Sequence, residues 1–178
     1  MGAGLGGGSA DGAFMLTMLN EFFALGLGKE QLSACALQLG SDCPFFIYNT
    51  PQFAAGRGEK MTSMQLDLSH YSLQLICPQV HVSTAAAFKM ITPAAAAYDL
   101  KNIHELPITD WKDKISNDFE APVFAQHPAL GKIKAQLYEQ GALYASMSGS
   151  GSTLYALFEK GKKADVRTNL PVQDFYIK

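Results

Sequence analysis

The sequence predicts an α+β protein in which a short helical first unit is followed by a second unit of ferredoxin-like plan. Three observations carry this reading. A glycine-rich opening runs into two apolar stripes at helical spacing, and the second half orders its segments as β-α-β-β-α-β. The 178 residues, 48% hydrophobic and 17% charged, have the make-up of a folded, water-soluble chain. Lys and Arg number 14 against 16 Asp and Glu, a net charge of -2, so no basic footprint is offered to nucleic acid. The longest apolar stretches, residues 84–90 and 94–97, fall far short of the roughly 20 residues of a membrane span. Cys35, Cys43 and Cys77 make neither an even set nor a C-x-x-C, which argues for a reducing, cytoplasmic setting. His70, His81, His104 and His127 lack the i, i+4 pairing of a helical metal site, so no histidine chemistry is assigned.

The elements follow in chain order. Met15, Leu16, Leu19, Phe22 and Phe23 form one apolar stripe, predicting a helix over residues 9–25 that Gly26 and Gly28 stop. Leu32, Cys35, Ala36 and Leu39 repeat that spacing on a second helix from Lys29, closed by Gly40 as the residue able to turn left-handed. Pro44 disfavours helix at Cys43, so the apolar residues 45–48 are expected to form a short strand with residues 53–55 as hairpin partner. A polar passage from Gly56 to Ser69 separates the units, giving domains of residues 1–58 and 59–178. Beyond it, strands are expected over 71–77, 144–147, 153–158 and 174–177. Helices are expected over 84–90 and 160–169 and around Leu130, Ile133 and Leu137 up to Gly141, with irregular helical structure over 111–124.

The glycine-rich opening is the strongest local signal for chemistry. Gly2-Ala3-Gly4-Leu5-Gly6-Gly7 satisfies G-x-G-x-x-G, but no strand precedes it. Asn20 and Glu21 stand inside a helix where a dinucleotide site wants an acidic strand end. No G-K-[ST] follows, which excludes a Walker A loop. What remains is a nest of backbone N–H groups leading into a helix N-terminus, suited to a phosphate chain, with the Ser9 hydroxyl available to phosphate or Mg2+. A flexible linker is disfavoured, because Gly/Ser linkers do not run directly into so regular a stripe. The strand that would deliver the chain into this loop is absent, so the sequence reads as the later part of a longer protein.

Asp42 is the second candidate. It lies in a turn beside Phe45 and Phe46, where partial burial would fix its position, although an Asp in such a turn commonly just bonds its own backbone. The third is Ser146-Met147-Ser148-Gly149-Ser150-Gly151-Ser152-Thr153. It is either a hairpin turn or a place where another backbone or a phosphate approaches closely.

These residues carry a resemblance. Met1-Gly-Ala-Gly-Leu-Gly-Gly-Gly-Ser-Ala-Asp11, Leu39-Gly-Ser-Asp-Cys-Pro-Phe-Phe46, Gly56-Arg-Gly-Glu59, Val82-Ser-Thr84, Asn117-Asp-Phe-Glu120 and Met147-Ser-Gly-Ser-Gly-Ser152 occur in an order that resembles the GHMP small-molecule kinases. The second, third and fifth pieces resemble the branch acting on a cytidine-diphosphate-linked methylerythritol in non-mevalonate isoprenoid synthesis. They are less like mevalonate, homoserine or galactose kinases.

The resemblance implies a GHMP kinase fold, with an incomplete N-terminal ribosomal-protein-S5-like domain followed by a ferredoxin-like C-terminal domain. It implies an ATP phosphate loop of Met1, Gly2, Ala3, Gly4, Leu5, Gly6, Gly7, Gly8, Ser9 and Ala10, with Ser9 also a ligand of Mg2+. Asp42 becomes the catalytic acid/base, and Ser83 and Thr84 lie near the substrate. Gly149, Ser150 and Gly151 belong to a loop that supports the phosphate loop. The implied reaction phosphorylates the 2-hydroxyl of the substrate with ATP. The family's opening segment, with a Lys that pairs with the catalytic Asp and residues that hold cytosine, does not occur in this sequence. That departure implies a chain that does not turn over by itself, with Leu16, Leu19, Phe22 and Leu39 lacking a partner surface and with self-association through exposed helices. Two alternatives stand beside this reading: a kinase of mevalonate or homoserine type, and a nucleotide-binding fragment without catalysis.

Overall fold

A computed structural model of the chain describes residues 3–92 and 95–178. It divides into two compact units, Gly6–Leu66 and Asp67–Lys178, the second also taking in the segment that ends at Leu5.

The first unit contains α1 (Gly7–Phe22), α2 (Lys29–Leu39), α3 (Cys43–Tyr48) and a hairpin of β1 (Gln52–Ala55) and β2 (Lys60–Ser63). α1 starts two residues earlier than the stripe predicts, because Gly6 takes a left-handed conformation (φ 65°) and hands the chain directly to the helix. It stops at Phe22, where Ala24 turns left-handed. The predicted stripe is not the buried face. Ala13 is the buried residue of α1 and Leu16 packs beside it, whereas Met15, Leu19, Phe22 and Phe23 are exposed. The small cluster of Ala13, Leu32, Ala36, Cys43 and Ile47 explains this. α2 and α3 close on the side of α1 that carries Gly12 and Ala13, where a Cβ at Gly12 would lie 3.4 Å from Leu39 Cδ1. Small side chains permit that approach, and the bulkier face is left outside.

Three expectations for this unit are corrected. Gly40 caps α2 with φ at 173°, which is extended and not left-handed. Residues 45–48 are helical and not a strand, because Pro44 sits in the first turn of α3, where a missing N–H costs nothing. The partner of β1 is therefore β2, in the antiparallel register Gln52↔Ser63 to Ala55↔Lys60. That pairing draws residues 59–63 into the first unit, so the division falls at 66/67 and not at 58/59.

The second unit is built on β3 (Tyr71–Pro78), β4 (Tyr144–Met147), β5 (Leu154–Glu159) and β6 (Val172–Ile177). Their order, β4-β5-β3-β6 with every pair antiparallel, is the one the ferredoxin-like plan requires. On one face, Ile76, Ala145, Met147, Leu154, Ala156 and Phe158 meet the helices α4 (Thr84–Lys89), α6 (Glu120–Gln126) and α7 (Pro128–Glu139). Leu130, Ile133 and Leu137 of α7 are fully buried there, as their spacing predicts. The 111–124 stretch holds α5 (Trp111–Lys114) and the start of α6, with Trp111 edge-on to Tyr144 at 5.5 Å.

The helix expected over residues 160–169 does not form. Three glutamines take its backbone groups instead. Gln74 Nε2 donates to Ala164 O (3.0 Å) and Ala164 N donates to Gln74 Oε1 (2.9 Å). Gln140 pairs with Asp165 in the same two-bond way, and Gln136 with Arg167. Each side-chain amide offers a donor and an acceptor to one backbone residue and holds the segment out of helix.

Candidate functional site

The glycine-rich opening contributes to both units: residues up to Leu5 group with the second and residues from Gly6 with the first. Met1 and Gly2, both expected in the phosphate loop, lie outside the described residues.

In the first unit, Gly6 caps α1 without help from any side chain, and the first turn carries no acidic residue. The first intrahelical bond runs from Ala10 N to Gly6 O (2.9 Å), so the N–H groups of Gly7, Gly8 and Ser9 have no partner within the helix. A Cβ at Gly7 or Gly8 would meet nothing within 4 Å, whereas one at Gly6 would stand 3.0 Å from the Phe46 ring. The helix end is thus open in front and closed behind. Ser9 and Ala10 are half-buried at its edge.

Asp42 immediately precedes α3, whose start packs on the early turns of α1: Cys43 Sγ lies 3.9 Å from where a Cβ at Gly12 would be. Asp42 is exposed, not partly buried as expected, because its neighbours Cys43 and Pro44 take the inward positions of the turn. Its carboxylate makes no capping bond to α3 and, among the described residues, no ion pair. The ordinary reason for an Asp in such a turn is therefore absent. The hairpin turn approaches it, a Cβ at Gly58 falling 3.1 Å from Asp42 Oδ1. Beyond that turn, N–H groups of Glu59 itself and of Arg57 bond the Glu59 carboxylate and hold its pKa below the usual range.

In the second unit, the 148–152 loop meets the segment before Gly6. Ser148 Oγ donates to Gly4 O at 2.7 Å, and Thr153 N donates to Ala3 O at 3.1 Å. Gly4 has φ at 77°, and any side chain on it would collide with the carbonyls of Ser148 and Gly151. Thr84 Oγ1 and Ser150 Oγ are 3.1 Å apart, which joins the 82–84 segment to the third sequence candidate. Ser83 is engaged otherwise, its hydroxyl accepting from Ala86 N at the start of α4.

Two site residues were given no role by sequence reasoning. Asn117 Nδ2 donates to Met147 O (2.7 Å) and Gly149 O (2.8 Å), and Glu120 Oε1 accepts from Met147 N (2.8 Å) and Ser146 Oγ (3.1 Å). Glu120 Oε2 forms an ion pair with Lys134 of α7. The signal available was a polar motif between apolar segments, whose partners lie about thirty residues away and cannot be read from local spacing. A cleft of about 610 Å³ opens beside this clamp, lined among others by Phe88, Phe119, Tyr144 and Tyr155. Burial raises the pKa of the Tyr144 and Tyr155 phenols, so both are neutral there at pH 7.

Family models match both parts of the chain: the GHMP kinases N terminal domain over residues 1–50 and the GHMP kinases C terminal model over residues 100–175. A 4-diphosphocytidyl-2-C-methyl-D-erythritol kinase of Parabacteroides distasonis is 54% identical over 159 residues, covering 89% of this chain and 59% of the relative. The chain thus spans about three fifths of that relative's length. The crystal structure of a 4-(cytidine 5'-diphospho)-2C-methyl-D-erythritol kinase matches with a TM-score of 0.75 at 29% identity, covering 88% of this chain and 57% of that one. The homoserine kinase of Cytophaga hutchinsonii shares the fold, with a TM-score of 0.73 at 14% identity over 100% of this chain and 66% of that one.

Proposed function

The chain belongs to the GHMP kinase family, and from that premise we propose that its protein transfers the γ-phosphoryl group of ATP to the 2-hydroxyl of 4-diphosphocytidyl-2-C-methyl-D-erythritol. What supports the reading most is the packing of the Asp42 turn on the early turns of α1, an uncommitted carboxylate in the same unit as a helix end with open amides. The 54% identical relative supports the choice of substrate.

Phosphoryl transfer asks for positioning and charge neutralisation more than for covalent chemistry. The N–H groups of Gly7, Gly8 and Ser9, at the positive end of α1, bind phosphate oxygens and hold the γ-phosphorus in line with the acceptor. Asp42, which makes no capping bond to α3, accepts the proton of the attacking hydroxyl. Among the described residues no group of three or more His, Cys, Asp and Glu side chains could hold a metal, so Mg2+ would be held by phosphate oxygens together with the Ser9 hydroxyl. When bound, Mg2+ neutralises charge on the transferring phosphoryl oxygens. In the second unit Ser83 and Thr84 bind substrate in this reading, and Gly149, Ser150 and Gly151 support the phosphate loop, Ser150 through the contact of its hydroxyl with Thr84.

No helix among the described residues is long and apolar enough to cross a membrane. The free cysteines Cys35, Cys43 and Cys77 support a cytoplasmic location. The exposed apolar face of α1 supports self-association of this chain. The deciding experiment incubates the full-length protein with ATP and a panel of acceptors. ATP-dependent phosphorylation of the cytidine-diphosphate-linked methylerythritol is expected, and a preference for mevalonate or homoserine defeats the reading.

A further inference from the structure

We infer that Asn117 is a positioning residue for the phosphate loop, acting through the turn at residues 148–151; the inference rests on the kinase reading above. Asn117 touches the turn at two points. Its Nδ2 donates to Met147 O at 2.7 Å and to Gly149 O at 2.8 Å, while Oδ1 accepts from Phe119 N at 2.9 Å. An amide is the side chain this site requires, with a two-donor end facing two carbonyls and an acceptor end facing an N–H. Aspartate would keep the bond from Phe119 and set a carboxylate oxygen against the carbonyls of Met147 and Gly149.

Glu120 holds the same segment from the other side, taking the Met147 N–H at 2.8 Å, so Met147 is fixed at both its N–H and its carbonyl. The turn needs such external support. Gly149 and Gly151 have φ of 54° and 92° and carry no side chain to anchor them. From this turn Ser148 reaches Gly4 O at 2.7 Å, and just after it Thr153 N reaches Ala3 O at 3.1 Å. A continuous run of hydrogen bonds inside the second unit thus links Asn117 to the residues that enter the glycine-rich loop.

A turn released from Asn117 leaves Ala3 and Gly4 less anchored, and nucleotide must then order the loop as it binds. The loss belongs to ATP affinity and not to the chemical step. In the full-length protein, Asn117→Asp and Asn117→Ala are expected to raise the Kd and KM for ATP about tenfold, the scale of two lost hydrogen bonds. Their kcat is expected to stay within about threefold of wild type, with the acceptor KM unchanged. Ser148→Ala breaks the same run further along, so the double variant Asn117→Ala/Ser148→Ala is expected to be no worse than the worse single variant. An unchanged ATP KM, with or without a lower melting temperature, overturns the positioning role. Two effects that multiply in the double variant overturn it as well. Unmutated protein without ATP-dependent phosphorylation overturns the kinase reading itself, an outcome read before any substitution is made.

Discussion

An Asp42→Asn variant keeps the shape of the turn before α3 and removes its capacity to take a proton. Because that side chain makes no capping bond to α3, the fold should persist, and the expected outcome is turnover below one part in about a hundred, the low end for a lost general base. Melting temperature and ATP affinity should stay unchanged, and steady-state rates beside a calorimetric titration check both. Gly6→Val tests the other half of the mechanism. Its φ of 65° is hostile to a β-branched residue, and the added carbons would press on the Phe46 ring. Loss of detectable ATP binding is expected in an equilibrium titration, and an unaltered titration rejects the assignment of this turn to phosphate. The candidates Gly6, Ser9 and Asp42 were legible in the sequence because the chemistry of each is local: a glycine turn, a first-turn hydroxyl, a carboxylate beside a proline. The exposure of Asp42 was not, since it depends on which neighbours of the turn, Cys43 and Pro44, face inward.

Elements whose burial and propensity agree are the ones the pattern predicted well. α7 repeats and β3 alternates at the period of the face each buries. Ile133, fully buried beneath the sheet, is the residue on which α7 can be weighed: Ile133→Ala is expected to cost about 2–5 kcal/mol in urea unfolding. Elements decided by long-range partners were misread. α3 looked like a strand from its aromatic run, yet Pro44 in its first turn and the burial of Cys43, Pro44 and Ile47 on one side make it helical. The 160–169 segment was expected to be a helix and is held out of one by glutamines from β3 and α7 and from the residue after α7. Gln136→Ala with Gln140→Ala is expected to expose the backbone of Asp165 and Arg167, and faster hydrogen exchange at those two amides checks it.

For the molecule as a whole, the apolar face of α1 is the feature with consequences. Phe14, Met15 and Met18 are each 52% exposed, and Phe22 is 78% exposed. Burying one such side chain is worth about 1.5–3 kcal/mol, so a surface of this kind favours any partner that covers it. Sedimentation of this chain is expected to show self-association, and Met18→Lys with Phe22→Lys is expected to reduce it. The sequence by itself determined the α+β class, the succession of strands along the second unit, the glycine turn and the kinship with a kinase family. Each rests on periodicity or on residues adjacent in the chain. The tertiary structure decided which side of α1 is buried, where the units divide, what state α3 adopts and that Asn117 and Glu120 grip the 146–149 segment. Those outcomes depend on hydrogen bonds and close approaches between segments far apart in sequence, and spacing along one segment carries no information about the partner it will meet.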